Sequence, residues 1–148
     1  LDLDKVCISG EYADFNCIAD EFPQLGPIGG IYSCAKALIN DVDYMLVLPV
    51  DMPYITAAEL SPLLKLTEKN VSGAFHENAT FPMLIQLNQK LIDYLYHCLV
   101  ETTEKKGRSL YRMVRTLDFT TLVESEITSF DNTNTPDEWR ECLTRFEK

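Results

Sequence analysis

The sequence predicts one α/β domain with a largely parallel sheet. Short apolar runs that suit strands alternate along the chain with segments of helical periodicity. The run at residues 44–50 is continuously apolar, which is typical of a strand buried on both faces of a parallel sheet. The chain has 148 residues, enough for one domain with a real core and too few for two ordinary domains.

The first third of the chain contains three predicted strands around one predicted helix. The helix follows from apolar residues at helical spacing after a glycine- and proline-rich loop. In order, the elements are a strand at 5–9, a strand at 16–19, the loop at 21–30, a helix to about residue 40 and the strand at 44–50.

The rest of the chain continues the alternation, with clear helix starts. Thr56 and Glu59 fit a capping box, and Pro62 is expected to break or kink the helix that follows. Thr135 caps a last helix whose first position is Pro136. The remaining elements are strands at 71–77 and 80–87 joined by a polar turn, a helix at 89–103, a helix capped by Ser109 and a strand at 119–123.

Composition and cysteine usage exclude several classes of protein. A net charge of −10 disfavours nucleic acid and anionic membranes as partners, and no apolar run approaches the roughly 20 residues of a membrane span. The five cysteines are widely spaced and include no C-x-x-C pair. We therefore expect a cytoplasmic protein with neither a disulfide framework nor a zinc site.

Candidate ligands follow the predicted strands where each of them ends. Ser9, Asp20 and Asp51 stand at three such ends, and the loop at 21–30 leads directly into a helix. In an open α/β sheet these ends surround the crevice that binds nucleotides. Glycines before a helix allow close approach of a phosphate, a sugar or a base edge, although the loop also suits a tight turn that needs glycine for geometry alone.

Asp51 and Asp20 are the carboxylates that loop geometry could bring together. Carboxylate oxygens combined with triphosphate oxygens form the usual Mg²⁺ site, and the ion then offsets charge on the transferring phosphoryl group. Pro49 and Pro53 fix the backbone around Asp51, which favours a ligand over a simple turn residue. Asp20 has the simpler alternative of capping a turn or the next helix.

The basic residues cluster at positions 105–115. Five of the thirteen positive charges lie there, which indicates an anion-binding patch on an acidic chain. Arg108, beside Gly107, is the better ligand candidate, while Lys105 and Lys106 are expected to be solvated charges at a helix end. Asn134 precedes the last helix, where it can order the loop or contact a ligand.

Four segments together resemble the molybdenum cofactor guanylyltransferases, the MobA-type nucleotidyltransferases. The matching segments are 26–30 (G-P-I-G-G, similar to G-P-L-A-G), 48–54 (L-P-V-D-M-P-Y, similar to C-D-T/M-P-Y/F), 81–83 (F-P-M, similar to H-P-L/T) and 132–138 (N-T-N-T-P-D-E, similar to N-V-N-T-P-E-E/D). They occur in the family's order and span nearly all of the chain.

The resemblance implies a three-layer, Rossmann-like nucleotidyltransferase fold with a mostly parallel sheet, and transfer of GMP from GTP to molybdopterin with Mg²⁺. It implies Asp51 as metal ligand and catalytic residue, and Arg108 as a catalytic residue that faces the pterin together with Asn134. The guanine nucleotide would then be contacted by Ser9, Asp20, Gly26, Pro27 and Gly29. Partners would be GTP, molybdopterin and molybdoenzyme-maturation proteins.

One family feature has no counterpart in these residues. The family begins with a strand and the signature L-x-G-G-x-S-x-R-M-G-x-D-K, whose glycines, arginine and lysine hold the triphosphate, whereas this sequence begins at Leu1 without it. We expect an N-terminally truncated, inactive domain. The absent strand would lie between the strands at 5–9 and 44–50.

Two other functions fit the same residues. One is a nucleotidyltransferase of this fold that uses CTP or UTP with a sugar or polyol phosphate. The other is a non-catalytic nucleotide-binding module that has lost its phosphate loop. A nucleotide-binding panel separates the first from a guanylyltransferase, and pyrophosphate release separates the second.

Overall fold

A computed structural model describes residues 1–123 and 131–147 of the chain. Short 3-10 turns at Leu66–Lys69 and Lys105–Arg108 supplement the main elements. The strands are β1 (Ile8–Ser9), β2 (Cys17–Ile18), β3 (Tyr44–Val47), β4 (Gly73–His76), β5 (Ala79–Gln86) and β6 (Thr120–Leu122); the helices are α1 (Pro27–Leu38), α2 (Ala57–Lys65), α3 (Gln89–Val100), α4 (Leu110–Thr116) and α5 (Pro136–Phe146).

The main sheet is mixed, so the prediction of a mostly parallel sheet is wrong. Its strand order is β3-β5-β4-β6, and β5 runs antiparallel to both of its neighbours. The reason is local: only residues 77 and 78 separate β4 from β5, and so short a link joins antiparallel strands. Parallel pairing occurs between β4 and β6 and in a separate two-stranded sheet of β1 and β2.

Helices cover both faces of the main sheet, as the α/β prediction requires. On β5, Met83 and Ile85 point into the larger hydrophobic core with residues of α1, α3 and α4. Leu84 points the other way, into a smaller core with Leu63 of α2 and Leu66. The alternation follows from the two-residue period of a strand. Strand β5 is therefore the centre of the packing.

Strand β3 is shorter and more exposed than the sequence predicts. It ends at Val47 instead of residue 50, and its four residues are only partly buried. Within the described residues β3 has one sheet neighbour, β5, so its other edge has no strand partner there. Beyond the strand, Leu48 is 44% exposed and Val50 is 85% exposed. The prediction that the strand leading to Asp51 is buried on both faces is thus wrong.

The predicted helix caps are present, with one correction. Thr56 and Glu59 form the capping box of α2, and Ser109 caps α4 by accepting from the Arg112 amide at 3.1 Å. Helix α2 nevertheless continues through Pro62 without the predicted break. Pro62 lacks an amide hydrogen, so the helix continues without the bond that would reach the Ala58 carbonyl oxygen. Ser61 Oγ donates to the Ala57 carbonyl oxygen at 2.7 Å within the same turn.

Candidate functional site

The first turn of α1 is built for close approach by two polar side chains. Gly26 lies before the helix with φ of 77°, a conformation that favours glycine, and Pro27 takes the first helical position. A Cβ atom on Gly29 would lie 2.7 Å from the Phe22 carbonyl oxygen and 3.1 Å from both Asp20 carboxylate oxygens. A Cβ on Gly30 would lie 2.7 Å from Ser9 Oγ. Glycine at these positions brings Asp20 and Ser9 against the helix.

Asp20 is held in place by hydrogen bonds to its own loop and to α1. Its Oδ1 accepts from the Phe22 amide at 2.8 Å and from Ser33 Oγ at 3.4 Å. Ser33, which is buried, also accepts from the Glu21 amide at 2.9 Å, and it shares its single hydroxyl hydrogen between Asp20 Oδ1 and the Gly29 carbonyl oxygen, which lies 3.0 Å away. Asp20 therefore caps a turn, which is the simpler of the two roles predicted for it. It also lies beside residues 26–30, which we call the glycine turn.

Cys34 lies on α1 near Ser9, Cys7 and Asp20. Burial raises the pKa of the Cys34 thiol, an effect that the hydrogen bond with Ser9 only partly opposes. The thiol consequently stays protonated at neutral pH, and a protonated thiol is a poor nucleophile. This position is thus unsuited to a covalent group-transfer intermediate.

The loop after β3 is fixed by the C-terminal segment of the chain. The Asp51 carbonyl oxygen accepts from the Thr133 amide at 2.7 Å and from Thr133 Oγ1 at 3.3 Å. Three residues further on, Tyr54 stacks on Phe146 of α5 with ring centroids 6.2 Å apart, and Arg145 lies 4.9 Å from the same ring. These contacts place Asp51 close to the segment that contains Asn134.

The Asn134 segment is ordered by a capping box at the start of α5. Glu138 accepts from the Asn134 amide at 2.6 Å and from the Thr135 amide at 2.9 Å, while Thr135 Oγ1 accepts from the Glu138 amide at 3.2 Å. The hydrogen bond from the Asn134 amide is the largest cause that lowers the pKa of Glu138 below its usual value of 4.5. The charged carboxylate thus stabilises this end of the helix.

We expect Glu138→Gln to lower the melting temperature at pH 7 and to have progressively less effect in acid. Because the folded-state pKa is depressed, the stabilisation is complete above the usual pKa of 4.5 and is lost as pH falls through the lower folded value. Thermal unfolding followed by circular dichroism from pH 7 downward checks this. Glu141→Gln, one turn further along α5, is the matched control, and a pH-independent difference would contradict the prediction.

Arg108 lies across a pocket from the glycine turn. The pocket has a volume of about 300 Å³ and is lined by Gln24, Leu25, Gly26, Lys105 and Arg108. Arg108 is half-buried in the 3-10 turn at Lys105–Arg108, and its Nη1 donates to the Thr102 carbonyl oxygen at 3.1 Å. The structure thereby brings Arg108 and Gly26 together, although 82 residues separate them in the sequence.

The predicted site residues fall into three groups. Ser9 and Asp20 meet Gly29 at the start of α1, Arg108 shares a pocket with Gly26, and the loop of Asp51 contacts the segment of Asn134. Within residues 1–123 and 131–147, the hydrogen bonds of Asp20 lead to its own loop and to α1, and those of Asp51 lead to Thr133. None of these hydrogen bonds joins Asp20 to Asp51.

Sequence reasoning missed three residues that build these groups. Ser33 was detectable, because it is a polar residue four positions after Gly29 on the apolar face of α1. Thr133 carries no such signal, since its partner lies 82 residues away. Lys105 is exposed, as predicted, but it also lines the pocket of Arg108.

A mixed sheet with helices on both faces places the protein in the α/β class, in which ligands bind at the carboxyl ends of strands. The profile of the family described as MobA-like NTP transferase domain matches residues 4–119, and the chain belongs to this family of nucleotidyltransferases. This agrees with the resemblance carried by the glycine turn and the Asp51 loop.

Curated relatives extend the match beyond the profile. A protein of Xanthomonas euvesicatoria named "Molybdenum cofactor guanylyltransferase" is 34% identical over 144 residues, which covers 93% of this chain and 71% of the relative. A Clostridium perfringens protein named "Probable molybdenum cofactor guanylyltransferase" is 27% identical over 147 residues and is covered to 73%.

A solved structure supports the fold alone. The crystal structure of a protein from Aquifex aeolicus VF5 superposes with a TM-score of 0.61 at 20% sequence identity, covering 80% of this chain. The chain spans 62% of the length of that structure. Among the described residues of the present chain, none of the helices has the length and apolarity that crossing a membrane requires.

Proposed function

We propose that this protein transfers GMP from GTP to molybdopterin, giving the guanine dinucleotide form of the cofactor and pyrophosphate, in a reducing compartment. The observation that carries the proposal is the match to a relative named as a molybdenum cofactor guanylyltransferase over 93% of the chain. The geometry supports it, because the two substrates need two adjoining sites. We assign these sites to the glycine turn and to the pocket beside it.

The Asp51 loop fits the requirements of a Mg²⁺ ion. Mg²⁺ in nucleotide sites is held by one or two carboxylates together with substrate phosphates and waters, not by a full cage of protein ligands. The Asp51 loop is fixed through its backbone to Thr133, and none of the hydrogen bonds or ion pairs in the described part of the chain engages its carboxylate.

The chain's own residues then bind and orient the substrates. Asp51, with Asp20 as a second candidate, would hold the ion, which supplies charge neutralisation on the phosphates when bound. The nucleotide would lie against the glycine turn, contacted by Ser9, Asp20, Gly26, Pro27 and Gly29. Arg108 and Asn134 would orient the pterin.

In this mechanism a phosphate oxygen of the pterin attacks the α-phosphorus of GTP in line. The bond from the α-phosphorus to the bridging oxygen breaks, and pyrophosphate leaves. Positioning and charge stabilisation provide the acceleration, and a protein nucleophile is not required. The protonated state of Cys34 fits this scheme.

A nucleotide panel tests the proposal. We expect titration calorimetry to show binding of GTP with Mg²⁺ at least about tenfold tighter than CTP or UTP, because a site with hydrogen-bonding groups for one base leaves them unpaired with another. Preferential binding of CTP would contradict the guanine assignment. Binding of GTP without pyrophosphate release, in a chain that carries the triphosphate signature, would contradict the catalytic assignment.

We further propose that these 148 residues alone turn over little GTP. The support is that β1 pairs with β2 only and β3 with β5 only among the described residues, so neither has the second neighbour of a central strand. Extending the chain at its amino terminus with a strand and the loop L-x-G-G-x-S-x-R-M-G-x-D-K is expected to raise pyrophosphate release at least about 100-fold, because the loop would add phosphate contacts. Equal activity of the two chains would contradict this.

A further inference from the structure

We propose that Lys105 and Arg108 form a two-cation subsite for a phosphate group opposite the loop at residues 24–26. The inference rests on the proposed function only in that the phosphate belongs to one of the two substrates. The family resemblance implies that Arg108 faces the pterin. What the structure adds is that Lys105 lines the same pocket, together with the loop at residues 24–26.

The pocket has the size of a small-ligand site. Its volume of about 300 Å³ is near the lower end of the range for ligand pockets, so a phosphate with part of a ring would fill it. One wall is the 3-10 turn that carries both cations, and the other is the loop before α1. Leu25 is the apolar member of the lining, and Gln24 and Gly26 complete the wall.

Both walls are held in defined conformations. Gln24 has a φ of 66° and Gly26 a φ of 77°, so two of three consecutive residues are left-handed. Opposite, Gly107 is buried, and a Cβ there would overlap the Thr102 side chain, which shows how closely the turn packs against the end of α3. The bond from Arg108 Nη1 to the Thr102 carbonyl oxygen fixes the guanidinium from the same side.

The two cations are uncompensated in the described part of the chain. Within residues 1–123 and 131–147, Lys36, Arg140 and Arg145 each form an ion pair with a carboxylate, and Lys105 and Arg108 are among the cations that form none. The chain as a whole carries a net charge of −10, and among the described residues these two cations are the charged side chains that line the pocket. Paired ammonium and guanidinium groups suit the several oxygens of a phosphate.

Two substrate groups share this chemistry. One is the phosphate monoester of the acceptor, and the other is a phosphate of the nucleotide. The pocket lies on the Gly26 side of the glycine turn, whereas Asp20 and Ser9 lie against Gly29 and Gly30. The experiment therefore uses an aromatic phosphate monoester as its probe and GTP as the competitor.

Phenyl phosphate binding to the 148-residue chain tests the subsite directly, without any need for turnover. We expect Lys105→Gln to weaken binding about three- to tenfold, as loss of one partly exposed charge contact would, and Lys105→Arg to restore it. Lys106→Gln is the matched control, because Lys106 is the next residue of the same turn and does not line the pocket. Nuclear magnetic resonance titration, following the Arg108 side-chain Nε–H signal, reports both affinity and location.

Adding GTP separates the two sources of the phosphate. If GTP and phenyl phosphate bind together, the subsite belongs to the acceptor; if GTP displaces the probe and Lys105→Gln weakens GTP equally, it belongs to the nucleotide. Both outcomes support the subsite. Equal affinities for Lys105→Gln and Lys106→Gln, or no shift at Arg108, would overturn it. Either result is independent of whether the protein releases pyrophosphate, so failure here is distinguishable from failure of the proposed function.

Discussion

Replacing Asp51 by asparagine is expected to reduce Mg²⁺-dependent release of pyrophosphate from GTP by about 100- to 1000-fold, the scale of losing one preorganised group that stabilises transition-state charge. Asparagine keeps the shape of the side chain and the backbone bond to Thr133, so the loop stays in place. The change removes only the negative charge that would hold the ion. The measurement is steady-state pyrophosphate release as a function of Mg²⁺ concentration, in the chain that carries the triphosphate signature.

Asp43→Asn is the matched control for this variant. Asp43 is an exposed aspartate immediately before β3, whereas Asp51 follows the same strand at its other end. Both variants change the net charge equally, so a general electrostatic effect would appear in both. Wild-type turnover in the Asp51 variant at every Mg²⁺ concentration would exclude Asp51 as the metal ligand.

Leu84→Ala is expected to lower the free energy of unfolding by about 3 kcal/mol, because burial of a large aliphatic side chain is lost and a cavity remains. Leu84 is fully buried at the centre of β5, opposite Leu46 of β3 and Ala74 of β4. It is the member of β5 that joins the sheet to α2 through the smaller core, which includes Leu63. Urea unfolding followed by circular dichroism measures the difference.

Leu143→Ala provides the comparison for that core variant. Leu143 is 55% exposed on α5, and alanine is a better helix former than leucine, so a change within about 0.5 kcal/mol is expected. Similar losses for the two variants would show that the smaller core contributes little. A larger loss for Leu84 also predicts that β3, and with it the Asp51 loop, depends on packing around β5.

Local pattern was enough to locate the elements but not to arrange them. The periodicities around Thr56, Ser109 and Thr135 identify helix starts that the structure contains, since a cap is an interaction within four residues. The direction of β5 is also predictable, because the short link at residues 77–78 joins antiparallel strands, whereas the alternation of strands and helices along the rest of the chain favours a parallel sheet. The insertion of β5 between β3 and β4 was not available, because strand order depends on contacts distant in sequence.

The site shows the same division between local and distant information. The sequence predicts that the glycine-rich loop opens directly into a helix, and α1 begins there at Pro27. The close approach of Asp20 to Gly29 is seen only in the structure. The sequence could not distinguish Lys105 from Lys106, because only the orientation of the 3-10 turn puts the first of them beside the pocket. The roles proposed for these residues in binding remain predictions.

The bond between the Asp51 carbonyl oxygen and Thr133 has a consequence for how the protein is made. Its two partners are 82 positions apart, and the Tyr54 ring is packed by Phe146, near the end of the chain. During synthesis on the ribosome, the contacts that hold the Asp51 loop therefore cannot form until Thr133 and Phe146 have emerged. Synthesis that stops before Thr133 leaves the Asp51 loop without this hydrogen bond, even if the sheet beneath it has already formed.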